Sequence, residues 1–197
     1  VSDAGDNAII IHPGANQRLS RAQIDAALQQ AKTGDWVLCQ NETSEVTYLL
    51  QAASELGLHT ACNPAPMTST ARDYPYHMLD LLLVNQSEAA ALTGSTDRNA
   101  MLVQLQQSYP DTVVVLTLGA AGAVAFSQGE SFQQPAEQVN AVDTTAAGDT
   151  FCGYFLHALA QQQPLQQCLQ AATHAAALCV QQPGAAVSIP NLKQRLL

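Results

Sequence analysis

The sequence predicts a layered α/β/α fold with a mainly parallel sheet, and three observations carry that expectation. Short β-branched or aliphatic runs alternate with longer segments of helical period. The polar, punctuating residues collect in loops: PGAN at 13–16, NPAPM at 63–67 and GAAVSIP at 184–190. No linker-like or repetitive segment separates two halves, so residues 1–197 read as one domain.

Strands are expected at 8–12, 36–40, 59–63, 81–84, 113–118, 123–126 and 139–142, where the apolar runs are too short for helices. Helices are expected between them. Ser20 caps the first, at 21–32, and the second runs over 43–56 with Gly57 as its stop. Further helices fit 86–92, 98–108, 148–161 and 165–180. Open sheets of this kind place ligands outside the carboxyl ends of their strands, the edge where Asn85, Gly119 and Asp149 are expected.

Composition narrows the function classes. The formal charge is −9, with only 7 Lys plus Arg and none clustered, which argues against nucleic acid and against an anionic membrane surface. No apolar run approaches a membrane span and no signal-peptide pattern opens the chain, so a cytoplasmic location is expected. Cys39, Cys62, Cys152, Cys168 and Cys179 are scattered without CxxC spacing and read as small buried hydrophobes. His12, His59, His77 and His157 lack neighbours at metal-ligand spacing and read as surface or packed residues.

The most informative stretch is DTTAAGDTF, Asp143 to Phe151. Ala146, Ala147 and Gly148 are small, sit between carboxylates and run into an apolar helical pattern, so backbone N–H groups converge there on an anion. Asp149 then stands beside whatever phosphate is held, where it can take a proton from an attacking hydroxyl. An ordinary turn with an N-cap is the plain alternative for this stretch alone. Three other segments accompany it: VNQSEAAALTG (84–94), VVVLTLGAAGAVAF (113–126) and QQPGAAVSIP (181–190).

In this order and with these gaps, the four segments resemble the sugar kinases of the ribokinase (PfkB-like) family, over essentially the whole chain. The resemblance implies ATP-dependent phosphoryl transfer to the primary hydroxyl of a sugar, with a pentose such as ribose favoured by the AAGD variant and a hexose or nucleoside left open. It implies Asp149 as general base beside the sugar hydroxymethyl, and an anion hole from Ala146, Ala147 and Gly148. Asn85, Thr117, Gly119 and Gly122 would meet the nucleotide together with Gly148, and Thr173 or His174 would neighbour the adenine. Glu88 would orient Mg²⁺ through water; a helix N-terminus dressed with an acid for its dipole is the plain reading of that pair. Asp143, Thr145, Cys179, Gly184 and Ser188 would surround a monovalent cation, K⁺, an all-oxygen cage in the main suiting a hard ion. Glu42 would reach a sugar hydroxyl, the plain reading being an exposed acid before a helix.

The resemblance also implies that these residues are the C-terminal two-thirds of a longer kinase domain. The first strands, the lid sheet and most sugar contacts would lie in the missing third, leaving a sheet edge uncovered and the usual lid interface of a homodimer absent. A catalytically incomplete nucleotide-binding fragment acting through a partner is therefore the second reading.

Overall fold

In the computed structural model, residues 12–191 are described. These residues form six strands and six α-helices: β1 (Trp36–Gln40), β2 (His59–Asn63), β3 (Leu81–Asn85), β4 (Val113–Thr117), β5 (Ala123–Ser127) and β6 (Glu130–Gln134); α1 (Arg21–Leu28), α2 (Val46–Glu55), α3 (Gln86–Thr93), α4 (Arg98–Ser108), α5 (Ala147–Ala160) and α6 (Leu165–Cys179). The strand order is β1-β2-β3-β4-β5-β6. β1 through β4 pair in parallel, with Gln40 opposite Asn63 and Asn85 opposite Thr117. The links from β4 to β5 and from β5 to β6 are too short for a parallel crossover, so the sheet ends in a meander. The sheet is mainly parallel, as expected.

The chain divides into two compact units: His12–Thr117 with Phe126–Ser131, and Leu118–Ala125 with residues 132–191. In the first, β3 is buried along Leu81–Val84, as a strand flanked on both sides by parallel partners requires. Ile24 and Leu28 of α1 pack with Ala53 and Leu58 around α2. Burying each such Leu or Ile contributes about 1.5–3 kcal/mol. The second unit is built on α5 against α6, where Phe155, Leu169, Ala172 and Cys168 are fully buried. All five cysteines are buried thiols, which fits the hydrophobe reading.

Local signals hold where they were strongest. Ser20 and Gln23 form a reciprocal capping box. Gly57 takes φ +71 and closes α2, with Leu58 N–H donating to Ala53 C=O at 3.1 Å in a Schellman motif. Among the described residues no helix is long and apolar enough to cross a membrane.

Several element ends shift by one residue, and the larger differences have physical reasons. Residues 139–142 form no strand: the N–H groups of Val142 and Asp143 both donate to Val180 C=O at the end of α6. The strand in this region is β6, joined to β5 by Gln128 and Gly129 at φ +51 and +82, the paired positive values of a tight hairpin turn. Helix α1 stops at Leu28 rather than 32, giving way to tighter bonds such as Ala31 N–H to Leu28 C=O. Helix α2 starts at Val46 rather than 43, because Ser44 is held by Asn16 and Leu19 carbonyls and Glu45 takes φ +61. The strand expected at 8–12 lies outside the described residues except for His12.

Candidate functional site

In the unit containing α5, the DTTAAGD stretch forms a left-handed turn followed by a helix start. Ala146 caps α5 at φ +62, a conformation costing a non-glycine residue about 1–2 kcal/mol. Strain of this kind collects at functional turns. Ala147 N–H donates to Thr144 C=O at 3.3 Å and Thr150 N–H to Ala146 C=O at 2.9 Å, which lock the turn. The first turn of a helix presents N–H groups without intrahelical acceptors. At Gly148 nothing stands within 4 Å of the place a Cβ would take, so approach to them is open. Asp149 is exposed in this turn, and Thr150 behind it is buried with no partner for its hydroxyl among the described residues.

Asp143 accepts from Gly184 N–H and Thr145 N–H, both at 2.9 Å. These bonds, Gly184 first, hold its carboxyl at about 2, below the ordinary 3.8. Cys179 Sγ lies 3.2 Å from Ser188 Oγ and 3.8 Å from Thr145 C=O, and Ser188 Oγ donates to Ala185 C=O at 2.7 Å. The structure thus brings Asp143, Thr145, Cys179, Gly184 and Ser188 together. Among the described residues no Lys, Arg or His pairs with Asp143. A carboxylate without a cationic side-chain partner, set near backbone and hydroxyl oxygens, is a donor set that suits a monovalent cation.

A pH prediction follows from Asp143. Its folded pKa is depressed, so its stabilisation is complete above about pH 4 and is lost as pH falls toward 2. Asp143→Asn is therefore less stable than the parent at pH 7, and the gap closes between pH 4 and 2. Denaturant unfolding of both proteins across that range checks it; a constant gap would assign the loss to packing.

Also in this unit, Gly119 takes φ +57 with open space beside it, compatible with a ligand's approach. Gly122 is different: a Cβ there would lie 2.0 Å from Gln134 C=O, so its immediate role is to let two backbones pass. Thr173 is buried with an unpartnered hydroxyl, whereas His174 Nδ1 lies 2.8 Å from Glu137 and shares a surface pair.

In the other unit, Asn85 caps α3, and Asn85 and Glu88 lock one another. Glu88 N–H donates to Asn85 Oδ1 at 2.9 Å; Asn85 N–H and Nδ2 donate to Glu88 Oε2 and Oε1 at 2.9 and 2.8 Å. Glu88 is buried, and burial raises its pKa against the lowering effect of those bonds. Glu88 and Asn85 thus form a reciprocal capping box, the helix-cap role weighed above. Thr117 stands opposite Asn85 and donates to Val84 C=O at 3.4 Å.

Glu42 is exposed in a loop that is otherwise tied down. Asn41 Nδ2 donates to Pro66 C=O at 2.6 Å and Thr68 Oγ1 at 3.0 Å, and Asn41 Oδ1 accepts from Tyr74. On the other side Arg21 Nε lies 3.0 Å from Glu45 Oε2. The carboxylate of Glu42 is thus presented by a braced segment. Sequence reasoning missed this bracing; the polar Asn41 and a buried Tyr74 were its only local signals.

Comparison with known proteins agrees with the fold and the motif set. The model of the pfkB family of carbohydrate kinases matches residues 1–192, and the chain belongs to that family. It is 36% identical to the ribokinase of Schizosaccharomyces pombe over 98% of this chain and 63% of that protein. It is 33% identical to the ribokinase of Haemophilus influenzae, covering 100% of this chain and 66% of the relative. The crystal structure of Cryptococcus neoformans ribokinase in complex with ADP superposes with a TM-score of 0.85 at 29% identity, over 98% of this chain and 68% of that one. The chain therefore spans about two-thirds of the length of the relatives it matches.

Proposed function

We propose that this chain forms the phosphate-handling part of an ATP-dependent sugar kinase, the C-terminal two-thirds of its domain, acting on the primary hydroxyl of a pentose. The observation that carries the reading is the strained turn at Ala146 opening the 14-residue helix α5, with clear access at Gly148 and an exposed carboxylate at Asp149. Asp149 accepts the hydroxyl proton as oxygen bonds to the γ-phosphorus and the bond to the ADP oxygen breaks; the proton later leaves to solvent. The N–H groups of the first turn hold the charge that spreads over the transferring oxygens. ATP supplies the phosphoryl group. The relatives named ribokinase, and the ADP in one of their structures, favour ribose and ATP for this chain.

Asp143 and the oxygens of 145 and 184–188 would hold K⁺, which supplies a fixed positive charge beside the anion turn. Mg²⁺ would neutralise charge on the nucleotide phosphates, and Glu88, held beside Asn85, would orient it through water. Asn85 and Thr117, at the carboxyl ends of β3 and β4, are assigned to nucleotide phosphates, and Glu42, in the loop after β1, to a sugar hydroxyl. Thr173 is assigned to the adenine neighbourhood ahead of His174, whose ring is engaged by Glu137.

The test is a coupled assay of ADP release, offering ribose, deoxyribose, fructose and adenosine to the 197-residue chain with Mg²⁺ and K⁺. Ribose-dependent release is the expected outcome. Nucleotide-induced thermal stabilisation with no turnover for any acceptor would support the second reading, a binding-competent but incomplete fragment.

A further inference from the structure

One long-range anchor in the α5–α6 unit is not used by the proposed chemistry. Tyr154 lies on α5 just over one turn past Asp149, is buried, and its hydroxyl donates to Pro190 C=O. Phenylalanine occupies the neighbouring buried positions 151 and 155, so apolar packing alone does not call for a phenol here. A buried Tyr hydroxyl needs a partner and in return constrains the segment that supplies it.

That segment is 184–190. At its start Gly184, at φ +99, donates to Asp143. In its middle Ser188 bonds Ala185 C=O and meets Cys179. At its end stands the Tyr154 bond. The loop is held at both ends, and one end is held by the helix whose first turn carries Asp149.

We propose that Tyr154 is a positioning residue for the monovalent cation: through Pro190 it holds 184–190 where the loop's oxygens and Asp143 take the ion. This rests on the cation assignment made under the proposed function and adds to it a residue that touches no ion itself. A large monovalent cation gains little from each oxygen, so its affinity depends on donors already arranged before it arrives. Without the phenol bond the loop loses its hold at Pro190, and the cation must supply more of the ordering beyond Ser188.

The test is thermal unfolding of the full chain in rising K⁺, with ionic strength held constant by tetramethylammonium, for the parent and for Tyr154→Phe. The parent is expected to gain thermal stability specifically from K⁺. In the variant the K⁺ concentration giving half the gain is expected to rise about threefold to tenfold, the range that loss of one net hydrogen bond supports. A purely structural hydroxyl would lower the melting temperature equally at every K⁺ level and leave that concentration unchanged, which overturns the proposal alone. No K⁺-specific gain in the parent overturns the cation assignment and the proposal with it. Titration with thallous ion, followed by its own NMR line, reads the same constant below the unfolding range, so a lowered melting temperature in the variant does not obscure the answer.

Discussion

Replacing Asp149 with Asn is expected to lower kcat by about 10²–10⁴-fold while the KM for ATP stays within about twofold. Asn has the same shape and keeps a hydrogen-bond acceptor in the first turn of α5, but it cannot take the proton of the attacking hydroxyl. The loss of an acid at a helix N-terminus costs about 0.3–1 kcal/mol, so the variant still folds. ADP release against the parent chain, together with nucleotide-induced thermal shifts, separates the two effects. Turnover within tenfold of the parent would remove Asp149 from the role of base and leave it as a helix-capping acid.

Gly122→Ala carries the largest expected effect on stability. Its φ of +95 and ψ of −136 are reserved in practice for glycine. A Cβ there would stand 2.0 Å from Gln134 C=O, 2.6 Å from Ala136 N and 2.7 Å from Pro135 C, all backbone atoms that cannot swing aside. Backbone strain of about 1–3 kcal/mol and overpacking of about 1–3 kcal/mol act together. Set against a typical total of about 5–15 kcal/mol, that removes a large share of the stability. Gly119→Ala is the control: its φ is +57 with nothing within 4 Å, so only the conformational cost of about 1–2 kcal/mol applies. Urea unfolding of the two variants reads the difference; equal losses would show that the contact with 134–136 is not decisive.

The comparison of these glycines shows where sequence reasoning reached and where it stopped. Both lie in TLGAAG, and both were expected to approach the nucleotide. They differ in backbone conformation and in what a more distant segment does: residues 134–136 cross close behind Gly122 and leave Gly119 open. The same limit appears at Asn85 and Glu88, whose spacing is equally that of a ligand pair and of a capping box. The bonds of 2.8–2.9 Å show that the capping box is formed, with the carboxylate of Glu88 buried, which the spacing alone did not tell.

The sequence by itself determined the alternation of strands and helices, the caps at Ser20 and Gly57, and the motif order that marks the pfkB family. These depend on periodicity and on residues within a turn of each other, which the chain displays directly. Tertiary structure alone decided that residues 139–142 are not a strand, because their donors are taken by Val180 at the end of α6, and that β6 follows β5 instead. It alone decided that Tyr154 reaches Pro190 and that Asn41 braces the segment before Glu42. Each of those outcomes turns on which remote backbone carbonyl lies within reach of a donor, and no local pattern specifies that.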